Sequence, residues 1–515
     1  AFGGDGTAAV CIGVGDRSLC FIAGPGEEPR EIYAAAGYRY LIDISPDGRR
    51  LAVAGAPDGP HAAVLLSLDG TVDATLGADR DTRLWALEFR PDRGDRPELL
   101  LMAETPAGFM VATWNQETGL VLRRHLTFPS TASARWYAAG RSVAEAAVLV
   151  QHESAGRSRL LMADLDGTGA RELPIPSGTV HDLSYGPDGI IYCLWGRAGT
   201  SATLLTIDPE RDAEPVATQT DVTETGASKA GTTEPSVTEH SATDLWTVTG
   251  YGTIHSLLAT PSTPPPWPTV FLIHGGPATH DRDLADSRVD VLRDAGYAVV
   301  RTNYRGSTGY GARWQHDFDH RVGLAQIEDL AAVRDQLLAE GLADERRVAV
   351  YGYSWGGYLA LLALGVQPGL WSAGVAVYPI ADYVETFATT TSTLRAVDVA
   401  LFGGTPDEVR ERYVAASPIT YADRVRGPLL LVAATADERC PPRQVQRYAD
   451  LLAARGVPHR LVWREGAHSG GHAAEQASIV GLAVGFLRAE WGAATEFPGA
   501  AASGTASTMW KGGDS

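Results

Sequence analysis

A chain of 515 residues exceeds the roughly 250 to 300 at which a single core stops growing, so two domains are expected. A formal net charge of −19 and a pI near 5.1 repel phosphate backbones and anionic lipid surfaces, which excludes nucleic acid as a partner. With 44% hydrophobic and 20% charged residues and no run near the roughly 18 apolar residues of a membrane helix, a soluble protein with no membrane partner is expected.

The first residues, "AFGGDGTAAVCIGVGD", lack a basic segment followed by a long apolar core, so no signal peptide is expected and the location is read as cytoplasmic. Cys11, Cys20, Cys193 and Cys440 show no metal spacing. Cys11 and Cys20 could pair across neighbouring strands, but buried free thiols are expected. The two lysines, Lys229 and Lys511, lie outside any phosphate-loop context, which excludes Walker-type ATP chemistry.

Residues 1–217 repeat a pattern. "SPDGRRLAVAG" from Ser45, "RPDRGDRPELLLMAE" from Arg90, "AAGRSVAEAAVLVQHE" from Ala138 and "GPDGIIYCLWG" from Gly186 each set a tight turn before an apolar strand, at intervals of about 45 to 50 residues. Between them, "VLLSLDG" and "LLMADLDG" end in Asp-Gly, a second turn signal. A fixed period of this kind predicts a β-propeller of about five blades rather than a β-sandwich. Residues 218–243, rich in Thr, Ser, Glu and Gly, are read as a flexible linker.

Residues 244–492 change rhythm. Apolar strands such as "TVFLIHGG", "RVAVYGYS", "LLLVAAT" and "HRLVWRE" alternate with amphipathic segments such as "EDLAAVRDQLLAE", predicting an α/β-hydrolase domain with a mostly parallel sheet. Residues 493–515 are read as a flexible tail.

Ser354 stands in Gly352-Tyr353-Ser354-Trp355-Gly356, directly after the strand "RVAVY" and before the helix-like "GYLALLALG". Such a sharp strand-to-helix turn needs glycine neighbours and holds the serine Oγ out above the sheet as a nucleophile. A serine hydroxyl needs a base and an orienting carboxylate, which in this fold follow in the order Ser, Asp, His. Asp437 or Glu438 in "ADERCPP" offers the carboxylate, and His468 or His472 in "GAHSGGH" the base; Asp437 and His468 are favoured as nearer their strand ends. The glycines of "HGGP", His274 to Pro277, let backbone N–H groups approach a developing oxyanion. Gly276 and Trp355 are the expected donors.

These motifs, with "NYRGSTGYG", "LFGG" and "SPI", resemble the serine peptidases of the prolyl oligopeptidase family, particularly the acylaminoacyl-peptidase and dipeptidyl-peptidase branch. The resemblance covers most of residues 243–490. It implies an N-terminal β-propeller capping the α/β-hydrolase domain, a site between them that admits short peptides, and the same triad and oxyanion donors. It further implies that Arg439 binds a substrate carbonyl and that Trp355, Tyr378, Ile380, Tyr383 and Phe387 line the pocket for the side chain preceding the cut bond. Trp355 replaces the family's usual tyrosine or phenylalanine. No residue of the first half matches the paired glutamates with which dipeptidyl peptidases hold a substrate's amino terminus.

The expected activity is hydrolysis of peptide bonds in short or N-acylated peptides through an acyl-enzyme on Ser354, with no metal or organic cofactor. An esterase, amidase or acyltransferase acting on a specialised metabolite would use the same triad. A propeller binding module with an idle hydrolase domain is the remote alternative, and a homo-oligomer is left open.

Overall fold

The computed structural model describes residues 6–14, 17–36, 40–54, 63–77, 82–91, 97–138, 147–167, 169–211, 215–218, 242–316, 318–468 and 473–492. Most of the expected linker, the whole tail and His472 lie outside the described residues.

Five small antiparallel sheets follow one another along the first part of the chain. The first holds Ala8–Val14, Arg17–Ala23 and Arg30–Ala36 (β1 to β3). The second holds Tyr40–Ile44, Arg50–Ala54, Ala63–Ser67 and Val72–Leu76 (β4 to β7). The third holds Arg83–Phe89, Leu99–Thr105, Gly108–Asn115 and Gly119–Phe128 (β8 to β11), and the fourth Ala132–Tyr137, Ala147–Ser154, Arg157–Asp164 and Ala170–Leu173 (β12 to β15). Thr179–Tyr185, Ile191–Gly196, Thr203–Ile207 and Val216–Thr218 (β16 to β19) form the fifth.

The repeat seen in the sequence is the first hairpin of sheets two to five, with the apolar run as its second strand. At Ser45 the turn closes on itself: the Gly48 N–H donates to Ser45 O at 2.8 Å and Ser45 Oγ donates to Asp47 Oδ1 at 2.5 Å. The Asp-Gly turn after β6 needs its glycine, because a Cβ on Gly70 would stand 2.0 Å from the Ile32 carbonyl oxygen. Strand alternation explains the apolar runs within the second strands. Leu99 and Leu101 point into the core shared with the second sheet, while Leu100 and Met102 point into the core shared with the fourth. The second, third and fourth sheets each bury both faces between their neighbours, as propeller blades do.

One expectation about this part is corrected. Cys11 and Cys20 sit directly opposite each other in the β1–β2 register and form a disulfide, not free thiols. Opposite positions of an antiparallel pair project to the same face at close range. Cys193 and Cys440 are free and buried.

The second part is built on Thr243–Thr249, Gly252–Ala259, Trp267–Ile273, Ala298–Asn303, Ala343–Tyr353, Ala373–Val377, Leu429–Ala434 and His459–Arg464 (β20 to β27). They form one eight-stranded sheet in the order β20-β21-β23-β22-β24-β25-β26-β27. The pairs β20–β21 and β21–β23 are antiparallel and the rest parallel. The helices are Ser287–Asp294, Ala312–His316, Leu324–Ala339, Trp355–Val366, Tyr383–Thr389, Ser392–Phe402, Arg410–Ala416, Pro442–Ala454 and Ala473–Trp491 (α1 to α9). Leu330 on α3, Leu359 on α4 and Tyr448 on α8 cover one face of the sheet. Val289 on α1 and Ile479 on α9 cover the other, which is why the central strands are apolar on both sides. This is an α/β-hydrolase sheet joined to a β-propeller. Among the described residues, no helix is long and apolar enough to cross a membrane.

The fourth propeller sheet touches the hydrolase part near the loops that follow β22 and β23. The Arg157 guanidinium pairs with Asp244 at 2.8 Å and Asp283 at 3.2 Å. The Gly309 N–H donates to Thr131 Oγ1 at 2.8 Å.

Candidate active site

The chain leaves β24 and reverses into α4 within one residue. Ser354, at that point, has φ 55° and ψ −117°, a left-handed conformation that costs a non-glycine residue about 1 to 3 kcal/mol. Two hydrogen bonds hold it: the Ser354 N–H donates to Val377 O at 2.8 Å, and the Tyr358 N–H donates to Ser354 O at 2.9 Å. The flanking glycines are steric requirements. A Cβ on Gly352 would lie 2.1 Å from the Gly356 carbonyl, and one on Gly356 would lie 2.1 Å from Ile273 O.

The carboxyl ends of β26 and β27 bring two more side chains to this turn. Asp437 is 4% exposed, and its Oδ1 accepts the N–H groups of Arg439 and Cys440 at 2.9 and 2.7 Å. Its Oδ2 stands 2.7 Å from His468 Nδ1, and His468 Nε2 stands 2.9 Å from Ser354 Oγ. A carboxylate held by two backbone donors accepts the Nδ1 proton, which leaves the Nε2 lone pair facing the serine hydroxyl. Glu438, the other carboxylate considered, is exposed and makes no hydrogen bond to His468 among the described residues.

A cavity of about 470 Å³ opens at this point, lined by Gly275, Gly276, Tyr353, Ser354, Arg439 and His468, among others. The "HGGP" loop that forms one wall is braced from behind. His274 Nε2 lies 2.9 Å from Ser307 Oγ, its ring stacks on Tyr304 at 4.2 Å, and the Tyr304 hydroxyl donates to His274 O at 2.9 Å. Burial pushes the His274 imidazole below its ordinary value, so it serves as a neutral brace. The N–H groups of Gly276 and Trp355 have no acceptor among the described residues.

Arg305, in the loop after β23, is a second brace. Its guanidinium pairs with buried Asp329 at 2.9 Å, donates to Ala325 O at 2.7 Å and lies over the Tyr251 ring at 4.2 Å. Arg305→Ala leaves the carboxylate buried without its partner. A loss of about 3 to 5 kcal/mol is expected, read as a lower urea midpoint, and an unchanged midpoint contradicts the role.

The residues expected to line a side-chain pocket are placed differently from one another. Arg439 is exposed at the cavity wall and has no carboxylate within ion-pairing distance among the described residues. Ile380 and Phe387 are half-buried at the edge of the core. Tyr378 is buried against His468, with ring centroids 5.8 Å apart, and its hydroxyl donates to Glu475 at 2.5 Å. The rings of Trp355 and Tyr383 are also buried, packed on each other and on Tyr358, and do not line the open cavity. Arg288, Gln476 and Ile479 do line it. Nothing in the sequence flagged them, since they come from α1 and α9, which carry no motif.

Residues 283–492 match the prolyl oligopeptidase family of peptidases. The acylamino-acid-releasing enzyme of Mus musculus is 34% identical over 200 residues, which is 38% of this chain and 27% of that enzyme. The match to the Homo sapiens enzyme is 32% over 215 residues, 40% of this chain and 29% of that one. The alignments thus span less than a third of the curated relatives' length. A solved puromycin hydrolase superposes with a TM-score of 0.76 at 22% identity, over 95% of this chain and 77% of that one. The acylaminoacyl peptidase of Pyrococcus horikoshii does so with a TM-score of 0.63 at 17% identity, over 92% and 84%. Both likenesses cover propeller and hydrolase parts together and establish the shared fold.

Proposed function

We propose that this chain, whose residues 283–492 form a prolyl oligopeptidase family domain, is a serine peptidase that hydrolyses short or N-acylated peptides. The observation that carries the reading is the unbroken relay from Asp437 through His468 to Ser354. Ser354 Oγ attacks the substrate carbonyl while His468 Nε2 takes the hydroxyl proton. The imidazolium is stabilised by Asp437 and then gives that proton to the leaving amine, which departs. Water, deprotonated by the same nitrogen, cleaves the ester on Ser354 and returns the serine. The N–H groups of Gly276 and Trp355 face the developing oxyanion, and the Arg439 guanidinium is available to a substrate carbonyl.

A panel of N-acylaminoacyl and acylpeptide p-nitroanilides beside p-nitrophenyl esters tests the substrate class. The reading predicts turnover of the amides. Turnover of esters with every peptide amide ignored would instead support an esterase, amidase or acyltransferase acting on a metabolite. A cytoplasmic location sits against the Cys11–Cys20 disulfide, since reducing compartments keep such pairs as thiols. Alkylation of the protein in freshly lysed cells reads which state is present.

A further inference from the structure

The cavity at Ser354 carries more hydrogen-bond donors than the triad uses. Side chains alternate along β24, so Tyr351 and Tyr353 share the face that α1 and α9 cover, while Val348 and Val350 pack in the other layer. On that face the cavity of about 470 Å³ that reaches Ser354 is lined by Tyr351, by Arg288 of α1 and by Ile479 of α9.

Arg288 is held in place but not used up. Asp286, which does not line the cavity, accepts from its Nε at 3.0 Å and from its Nη2 at 2.6 Å. The third nitrogen, Nη1, makes no hydrogen bond among the described residues. The Tyr351 hydroxyl likewise has no acceptor among the described residues, although the residue is only 3% exposed. Burial pushes that hydroxyl up to about 12, so it stays a protonated donor. Arg439 adds a second guanidinium to the lining, and none of the described residues that line the cavity is Asp or Glu.

Two guanidinium groups and a buried hydroxyl around one space, with donors left over and no acidic residue in the lining, are complementary to a carboxylate. A chain of net charge −19 that keeps this lining free of carboxylates concentrates a positive field there. We propose that Arg288 and Tyr351 bind a carboxylate of the substrate, so that the enzyme prefers peptides with a negative charge close to the bond that Ser354 attacks. The proposal rests on the hydrolase reading above. Arg288 Nη1 and the Tyr351 hydroxyl donate to the carboxylate oxygens, Arg439 adds its charge from the Asp437 loop, and Ile479 offers an apolar surface to the carbons between. The carboxylate has two sources: the free carboxyl terminus of the leaving peptide, or an acidic side chain on the acyl part.

Two matched substrate pairs test it. N-acetyl-alanyl-alanine against its carboxamide places the charge on the leaving side, and N-acetyl-glutamyl against N-acetyl-glutaminyl p-nitroanilide places it on the acyl side. In at least one pair the charged member's kcat/KM is expected to exceed the neutral member's by about 30-fold, the worth of one charge-assisted contact, and that pair identifies the source. Arg288→Gln should lower this ratio about 30-fold. Tyr351→Phe, which removes one hydroxyl and leaves the Arg288–Asp286 pair intact, should lower it about fivefold. Each ratio is internal to one variant, so a loss of folded enzyme cancels. Wild-type ratios at or below one in both pairs, or a wild-type preference unchanged in both variants, overturn the proposal. An uncharged fluorophosphonate separates the two levels: labelling of Ser354 with no preference for a charged substrate overturns this proposal alone, whereas no labelling and no turnover of any of the four substrates overturns the hydrolase reading beneath it.

Discussion

Asp437→Asn is expected to lower kcat by about 10⁴-fold while leaving KM within about threefold. The amide has the carboxylate's shape and keeps an oxygen for the N–H groups of Arg439 and Cys440, which now bond Oδ1. Its NH₂ then faces His468 Nδ1, where Oδ2 stands at 2.7 Å. An NH₂ there can only donate, so Nδ1 must carry the lone pair and Nε2 the proton. The proton on Nε2 points at Ser354 Oγ, 2.9 Å away, and the base has lost its function without a change of shape. Steady-state kinetics on an amide substrate, with a melting curve to confirm the fold, reads the outcome. A loss under tenfold would mean that Asp437 does not set the tautomer.

Gly356→Ala is expected to remove at least about 3 kcal/mol of stability together with most activity. The new Cβ would meet Ile273 O at 2.1 Å, a backbone atom of a central strand that cannot move without shifting the "HGGP" loop after it. Relief has to come from tilting α4, which displaces Ser354. Gly481→Ala on α9 is the control, because its Cβ meets nothing within 4 Å; there a gain of about 0.5 to 1 kcal/mol is expected from helix propensity. Thermal melting of both variants in the same buffer reads the contrast. Equal effects at the two glycines would remove the steric account of the turn.

The parts of the molecule legible in the sequence are those fixed by local sterics and strand pattern. The G-x-S-x-G turn could be read because its glycines answer contacts made within the turn and with the adjoining strand. The convergence of Asp437 and His468 on Ser354 could be read because each follows an apolar run that had to be a buried strand, and the carboxyl ends of such strands gather at one edge of the sheet. The Pro-Asp-Gly repeats marked the hairpins for the same reason. What stayed hidden depends on how elements meet. The Cys11–Cys20 bond follows from the register of β1 and β2, which no residue pattern announces. The family resemblance implies that Tyr378 lines a pocket, yet its φ of 49° accompanies a side chain that bonds Glu475 and packs on His468.

The most direct test of the central claim is reaction of the purified full chain with a fluorophosphonate, followed by peptide mass spectrometry. The relay predicts a single adduct on Ser354, lost in His468→Ala and in Ser354→Ala and retained in Ser256→Ala. Folded protein that remains unlabelled, or an adduct on another serine, contradicts it.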